Sequence, residues 1–275
     1  MLGALLATAR PSAIRMAAAP SYEAHQAGVL WDVDGTLVDS TQLAYVATNE
    51  VRRGLFPRPY RDMTLPHTSQ VLTSNGYDEV SVADYKFGCR FTTPDRFNVH
   101  IGGVEAIGRP EGVELGGIFD NTYVARVSSS TAGLFPGMER LLRSISLAGH
   151  PQGCLSNACG DYVRAVVAAN ELDEKPGERI ALFGVVRGAD EVPAAKPHPE
   201  GLLTCCQALG VIPAASVYIG DSPSDGQAAK AAGMKSVGVL WGANNRESLT
   251  ESFDVLCEDV EQLSTEIRNI LSRAA

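Results

Sequence analysis

Two carboxylates lie one residue apart at the end of an apolar run near the start of the chain, in the stretch Val29-Leu30-Trp31-Asp32-Val33-Asp34-Gly35. Aspartate is a poor strand residue, so this position needs a chemical reason. Residues that follow a strand of a parallel sheet lie at the mouth of a ligand crevice, and a glycine permits a sharp turn there. Two carboxylates this close favour a divalent cation such as Mg²⁺ as their partner. A surface turn with acidic residues would show the same short pattern.

Three later stretches carry polar residues that suit phosphate or metal, and each lies at a predicted strand end or just before a predicted helix. They are Ser156 and Asn157, then Lys196, then Asp221, Ser222, Ser224 and Asp225. Each stretch has a structural alternative, because serines cap helices, most lysines are solvated and aspartates are common in turns. Their combination with the first stretch supplies a nucleophile, a hydroxyl donor, a cation and metal-binding carboxylates. We therefore expect one site at the carboxyl edge of a sheet.

The elements that would position these residues alternate between short strands and helices. Predicted strands cover residues 28–33, 152–155, 181–186, 216–219, 236–240 and 253–256. Predicted helices cover residues 136–148, 162–170, 199–209, 224–232 and 260–272. This alternation predicts an α/β protein with a Rossmann-like, doubly wound parallel sheet.

A long segment after the first strand differs in character from this alternation. It has helix-like pieces at 42–55, 69–74 and 80–91, and a glycine-rich part from 102 to 117 in which no element is predicted. We interpret residues 41–132 as a mostly helical cap that is inserted after the first strand. Residues 28–40 and 133–275 would then form the core domain.

The net charge of the chain is −9, from 23 basic and 32 acidic residues. This balance argues against an electrostatic nucleic-acid binder, and no apolar run approaches the ~20 residues that span a membrane. The six cysteines form no Cys-x-x-Cys pair, which favours reduced thiols over a zinc site or a disulfide framework. We expect a monomer or a homodimer.

The first 27 residues contain Arg10 and Arg15 and no acidic residue before Glu23. A flexible tail in a cytoplasmic protein explains this composition. The alternative is a transit peptide that directs the chain to a mitochondrion or a plastid, because such peptides are also poor in acidic residues.

In this order, the four stretches resemble the motifs of the haloacid dehalogenase superfamily. The Asp-x-Asp-Gly-Thr motif matches residues 32–36, and the Gly-Asp-x-x-x-Asp motif matches residues 220–225. Ser156 after an apolar strand and Lys196 ahead of a helix match the other two motifs. Asp39-Ser40 and the returning segment 134–137 are similar to the subgroup with a helical, C1-type cap. Phosphoglycolate phosphatase and β-phosphoglucomutase belong to that subgroup.

The resemblance implies a role for each matching residue. Asp32 would attack phosphorus to form an aspartyl-phosphate, and Asp34 would act first as general acid and then as general base. Mg²⁺ would be held by the carboxylates of Asp32 and Asp221 and the main-chain carbonyl of Asp34, with Asp225 as a ligand or beside them. The phosphate-binding residues would be Ser156, Asn157 and Lys196.

Family members that cleave carbon–halogen bonds lack the second aspartate, so Asp34 favours a Mg²⁺-dependent phosphatase of a small phosphorylated metabolite. A phosphomutase of the β-phosphoglucomutase type is the alternative, and a non-catalytic binding protein on the same scaffold is a third. We expect cap residues to set the substrate. The candidates are Arg52, Arg53, His67, Arg90, Arg96 and Arg109.

Overall fold

The computed structural model describes residues 27–41, 44, 78, 80–173 and 182–274. The predicted helix at 69–74 lies outside these residues, as do nearly all of the predicted helix at 42–55 and the N-terminal segment. Within the described residues the chain has a parallel sheet with helices, and this confirms the predicted α/β class.

Six parallel strands form the central sheet. They are β1 Val29–Trp31, β4 Gln152–Leu155, β5 Val185–Arg187, β6 Val217–Gly220, β7 Lys235–Val239 and β8 Val255–Cys257. Their order across the sheet is β5-β4-β1-β6-β7-β8. Strand β1 lies between β4 and β6, with Trp31 opposite Cys154 on one side and Ile219 on the other. The carboxyl ends of these three strands therefore meet at one edge of the sheet.

The described helices cover both the segment after the first strand and the alternating part of the chain. Those before residue 130 are α1 Val82–Gly88, α2 Thr93–Gly102 and α3 Pro110–Val124. The later ones are α4 Met138–Leu147, α5 Gly160–Ala169, α6 Glu200–Leu209, α7 Pro223–Ala231, α8 Arg246–Leu249 and α9 Val260–Ala274. Helix α6 ends at Gly210, whose φ of 68° is the left-handed conformation that glycine accepts without strain.

A buried amide joins β1, β4 and a helix inside the core. Gln152 in β4 accepts a hydrogen bond of 3.1 Å from the Trp31 indole of β1 and donates one of 2.8 Å to the carbonyl of Leu142 in α4. These bonds satisfy polar groups inside the core and join two strands to a helix. The amino end of β4 is thereby tied to the last residue of β1 and to α4.

Two short antiparallel strands pair at the two ends of the segment that follows β1. Strands β2 (Val38–Asp39) and β3 (Gly133–Leu134) pair with Val38 opposite Leu134, so the chain leaves and returns at one place. Helices α1, α2 and α3 lie between them in sequence. The limits of the cap at residues 41 and 132 stay a prediction.

All six cysteines are free, and four of them are buried. Among the described residues, every helix is too short or too polar to cross a membrane. The monomeric or dimeric state stays a prediction.

Candidate active site

Asp32 follows the last residue of β1 and lies at the carboxyl edge of the sheet, between β4 and β6. Its carboxylate is almost fully buried and lines a cavity of about 60 Å³. Burial raises the pKa of Asp32 well above its usual range, and the ammonium group of Lys196 offsets only part of that rise. The site therefore contains a desolvated carboxylate that faces the open space of the cavity.

Lys196 is the cation of the site, and it is only 4% exposed. Its Nζ lies 2.6 Å from Asp32 Oδ1 and 2.7 Å from Asp225 Oδ1. It also donates hydrogen bonds to the carbonyl of Leu155 at 3.1 Å and to the hydroxyl of Tyr218 at 2.9 Å. Burial alone would lower the pKa of Lys196, but the carboxylates of Asp225 and Asp32 raise it above its ordinary value. Lys196 therefore stays protonated, and the alternative of a solvated loop lysine is wrong.

The two aspartates that follow β6 differ in what holds them. Asp225 lies in the first turn of helix α7 and accepts hydrogen bonds from the amide and hydroxyl of Ser222, which form a capping box at the helix N-terminus. Asp221 accepts a hydrogen bond of 2.6 Å from the amide of Ala243. Burial and the neighbouring Asp225 raise the pKa of Asp221 to about 7. Asp225 thus has fixed partners, whereas Asp221 lacks a cation of its own among the described residues.

Asp34 turns toward a different set of partners. Its Oδ1 accepts hydrogen bonds from the hydroxyls of Ser40 and Tyr162, and Tyr162 in turn lies 3.1 Å from the hydroxyl of Tyr123. Burial raises the pKa of Asp34; the bonds from Ser40 and Tyr162, and then the charge of Arg96, offset part of that rise. A carboxyl with a raised pKa and two orienting donors is suited to transfer a proton.

Ser156 and Asn157 follow β4, and the structure gives them different contacts. The Ser156 hydroxyl accepts a hydrogen bond of 3.0 Å from the amide of Ala158, which leaves its own O–H free to donate into the cavity. The Asn157 amide donates to the carbonyls of Lys196 at 3.1 Å and Arg90 at 3.3 Å. Both of its N–H groups are used, so the side chain of Asn157 joins two loops and has no donor left for a phosphate.

Three carboxylates form a cluster that suits a metal ion. One oxygen from each of Asp32, Asp221 and Asp225 lies within 4.8 Å of the others, and all three residues are buried. Lys196 neutralises only part of this charge, and an unpaired carboxylate is costly to bury. An all-oxygen donor set with excess negative charge fits Mg²⁺. The side chain of Asp34 stands outside the cluster, so only its main-chain carbonyl remains as the ligand that the resemblance implied.

The candidate specificity residues differ in their access to the cavity. Arg96 in α2 is buried and lines it, Arg90 donates to Asn244 Oδ1 at 3.1 Å, and Arg109 is exposed. Arg52, Arg53 and His67 lie outside the described residues. Of the three that can be placed, Arg96 alone lines the cavity.

Sequence reasoning missed two tyrosines of the site. Tyr218 lies in β6 and passes a hydrogen bond from Lys196 to the carbonyl of Leu155, while Tyr162 lies 128 positions from Asp34. Tyrosine is a common strand and core residue, so neither position carried a signal of its own. The presence of a buried lysine nearby is what gives the Tyr218 hydroxyl its partner.

Gly35 permits the close approach of two motifs. Its φ is +73°, and a Cβ atom at this position would lie 2.3 Å from Asp221 Oδ2. We expect Gly35→Ala to displace Asp221 and to lower kcat/KM by about 100-fold or more, because a small misplacement of a catalytic group is that costly. Steady-state kinetics and thermal unfolding of the purified variant measure the two effects.

Gly149→Ala is the matched control, since Gly149 has a φ of +85° and no atom within 4 Å of the added Cβ. Both variants share the backbone strain of about 1 kcal/mol or more. Normal activity in Gly149→Ala together with a loss in Gly35→Ala would assign the loss to the contact with Asp221. Equal activities in the two variants would contradict it.

The chain matches a known protein family over most of its length. Residues 27–233 match the family model of the haloacid dehalogenase-like hydrolases. The matched range includes all the residues of the cavity that lie at the ends of β1, β4 and β6, and Lys196.

Two similar curated proteins are phosphatases. The chain is 30% identical to the phosphoglycolate phosphatase of Escherichia coli strain K12 over 241 residues, which cover 86% of this chain and 90% of the relative. It is also 30% identical to the phosphoglycolate phosphatase of Xylella fastidiosa over 247 residues, which cover 89% and 94% of the two chains.

Solved structures support the fold. The β-phosphoglucomutase of Clostridium difficile superposes with a TM-score of 0.66 at 21% identity, over 90% of this chain and 98% of the other. A hydrolase from Pseudomonas syringae gives a TM-score of 0.67 at 18% identity, over 89% and 99%. The chain therefore belongs to the haloacid dehalogenase-like hydrolases and is an enzyme of their phosphatase type.

Proposed function

We propose that the protein is a Mg²⁺-dependent phosphatase that hydrolyses a small phosphate monoester through an aspartyl-phosphate on Asp32. The first substrate to test is phosphoglycolate, which the curated relatives are named for. One observation carries the proposal: Lys196 Nζ contacts Asp32 and Asp225 at once, inside a buried cluster of three carboxylates. An acidic cluster with one fixed cation at a cavity is suited to bind and transfer a phosphoryl group.

The first step would transfer the phosphoryl group to the protein. A carboxylate oxygen of Asp32 forms a bond to phosphorus while the bond from phosphorus to the ester oxygen breaks. The proton of the Asp34 carboxyl passes to the departing oxygen, and burial favours this by raising the pKa of Asp34. Lys196 and the hydroxyl of Ser156 orient the phosphoryl oxygens.

The second step would return Asp32 to its free form. Asp34, now ionised, takes a proton from a water molecule, and the water oxygen bonds to phosphorus as the bond from Asp32 breaks. Ser40 and Tyr162 hold Asp34 in one orientation through both steps, since both donate to the same oxygen. Inorganic phosphate and the alcohol are the products.

Asp32, Asp221 and the main-chain carbonyl of Asp34 would hold Mg²⁺, with Asp225 beside them. When it is bound, the ion supplies positive charge that lowers the repulsion between the phosphate and these carboxylates. Lys196, which contacts Asp32 and Asp225, supplies further positive charge.

Phosphate release from a panel of small phosphate monoesters, with and without Mg²⁺, tests this function. We expect release to fall to background after treatment with EDTA and to return when Mg²⁺ is added. The Mg²⁺-loaded protein should also melt at a higher temperature, because a bound ion that neutralises the carboxylates stabilises the folded state. Hydrolysis that continues unchanged in EDTA would contradict the metal dependence.

The same panel distinguishes the phosphomutase alternative. A hexose 1-phosphate would be converted by a mutase into its isomer with little free phosphate, whereas a phosphatase would release phosphate. The likeness to β-phosphoglucomutase concerns the fold alone, so product analysis decides between the two.

A further inference from the structure

Arg96 is a buried arginine on the cap side of the catalytic cavity. It lies in α2, is 8% exposed, and lines the same cavity as Asp32, Asp34 and Lys196. Arginine stays charged at any ordinary pH, so a positive charge is kept inside the protein at this position.

Aromatic rings hold the guanidinium in place. Its central carbon lies 4.5 Å from the centroid of the Phe119 ring and 5.7 Å from those of Tyr85 and Phe97. Rings at these distances attract a cation through their faces and exclude water from it. The guanidinium is therefore fixed before any ligand arrives, which lowers the entropic cost of binding.

Among the described residues, two of the three guanidinium nitrogens of Arg96 nevertheless lack a polar partner. Its Nε and Nη2 atoms are buried and have no hydrogen-bond acceptor among the residues that the structure describes. Asp120 is close enough to interact with this charge, yet the two side chains form no ion pair, and Asp120 Oδ1 is itself buried without a partner. Burying charged N–H groups without acceptors is costly, and no described residue supplies an acceptor to these two, so their position beside a catalytic cavity points to a ligand that does.

We propose that Arg96 binds a second anionic group of the substrate, a carboxylate, so that the substrate is a short phosphorylated hydroxy acid. This inference rests on the proposed phosphatase function. The phosphate would face Lys196 and Ser156, and the carboxylate would face Arg96 across the cavity. A planar guanidinium matches a planar carboxylate with two parallel hydrogen bonds.

Three substrates that differ in one group test the inference. Phosphoglycolate carries the carboxylate, glycolamide phosphate replaces it with a neutral amide of similar shape, and ethylene glycol bisphosphate replaces it with a phosphorylated hydroxymethyl group. We expect the wild type to prefer phosphoglycolate over the amide by about 100-fold in kcat/KM, the effect of a charge-assisted hydrogen-bonded pair. Equal use of phosphoglycolate and the amide would overturn the inference, and a preference for the bisphosphate would overturn the choice of a carboxylate.

Arg96→Met removes the charge and keeps much of the apolar length, whereas Arg96→Lys keeps the charge and loses the planar fork. We expect Arg96→Met to lower kcat/KM by about 100-fold for phosphoglycolate and by less than about 3-fold for the amide. The kcat/KM of Arg96→Lys for phosphoglycolate should lie between those of the wild type and Arg96→Met. A loss of the same size on both substrates would mean that Arg96 has a structural role only. If Arg96→Met does not fold, Arg96→Lys provides the test, through its loss of kcat/KM on phosphoglycolate relative to its loss on the amide.

Arg109→Met is the matched control, since Arg109 is an exposed arginine that precedes α3. It should leave the preference for phosphoglycolate unchanged. Failure of the underlying phosphatase function would look different, because then the wild type would hydrolyse none of the three substrates in a Mg²⁺-dependent manner.

Discussion

Asp32→Asn is expected to lower kcat for phosphate release by about ten-thousand-fold or more, the size of the loss when a covalent nucleophile is removed from an enzyme. Asparagine has the same shape and still offers an oxygen to Lys196, but its neutral amide is a poor nucleophile toward phosphorus. The site holds three buried carboxylates and one lysine, so removing one negative charge should not destabilise the fold. Phosphate release at saturating substrate and thermal unfolding measure both expectations.

Asp173→Asn is the control for this change. Asp173 is exposed, so the same substitution there should leave kcat unchanged. If Asp32→Asn kept a tenth or more of the wild-type kcat, Asp32 would not be the nucleophile.

Lys196→Met is the second change with a large expected effect, and it should act on both stability and activity. It leaves Asp32 and Asp225 buried without the cation that lies 2.6 Å and 2.7 Å from them. Removing one partner of a buried ion pair costs about 3–5 kcal/mol of the free energy of unfolding. The remaining folded protein should lose about 1000-fold or more in kcat/KM, because a preorganised positive charge at a phosphoryl group contributes several kcal/mol to the transition state.

Urea unfolding and phosphate release from the purified variant measure these two losses. Lys230→Met, at an exposed position on α7, is the control and should match the wild type in both. A Lys196→Met variant with wild-type stability would mean that the buried cluster does not depend on this cation.

Much of the fold was predictable because the apolar periodicity and the turn residues agree along the alternating part of the chain. The bounds predicted for β4 are those observed, Gln152–Leu155. The helix expected from Pro136 begins at Met138, because Gly137 adopts a φ of +89° at the N-cap position and delays the first turn. Local signals of this kind place elements to within a few residues.

The glycine-rich part of the segment after β1 could not be predicted, because its helix depends on packing. Helix α3 contains Gly112 and Gly116, which lower helix propensity, yet a Cβ atom on Gly112 would lie 2.2 Å from the Pro94 carbonyl oxygen. The glycine permits α2 and α3 to pack closely, and Asn98 joins them by accepting from the Gly112 amide at 2.9 Å and donating to the Arg109 carbonyl at 2.9 Å. Tertiary contact thus outweighs local propensity here.

The candidate site was predictable where residues lie at strand ends and not where they act through distant contacts. The structure brings together Asp32, Lys196 and Asp221, as expected for motifs that meet at the carboxyl edge of one sheet. The side chain of Asn157 lines the cavity but donates both of its N–H groups to the carbonyls of two loops, so its role toward a phosphate stays a prediction. Tyr162 reaches Asp34 only through the packing of α5, which a linear pattern does not show.

The most direct test of the account is to find the phosphoryl group on the protein. Wild-type enzyme with Mg²⁺ is mixed with phosphoglycolate, quenched within milliseconds and treated with borohydride, which reduces an aspartyl-phosphate to homoserine. We predict homoserine at position 32 in the peptide mass spectrum, and none in Asp32→Asn treated in the same way. Turnover of the substrate with an unmodified Asp32, or with the modification at another carboxylate, would contradict the mechanism proposed for this site.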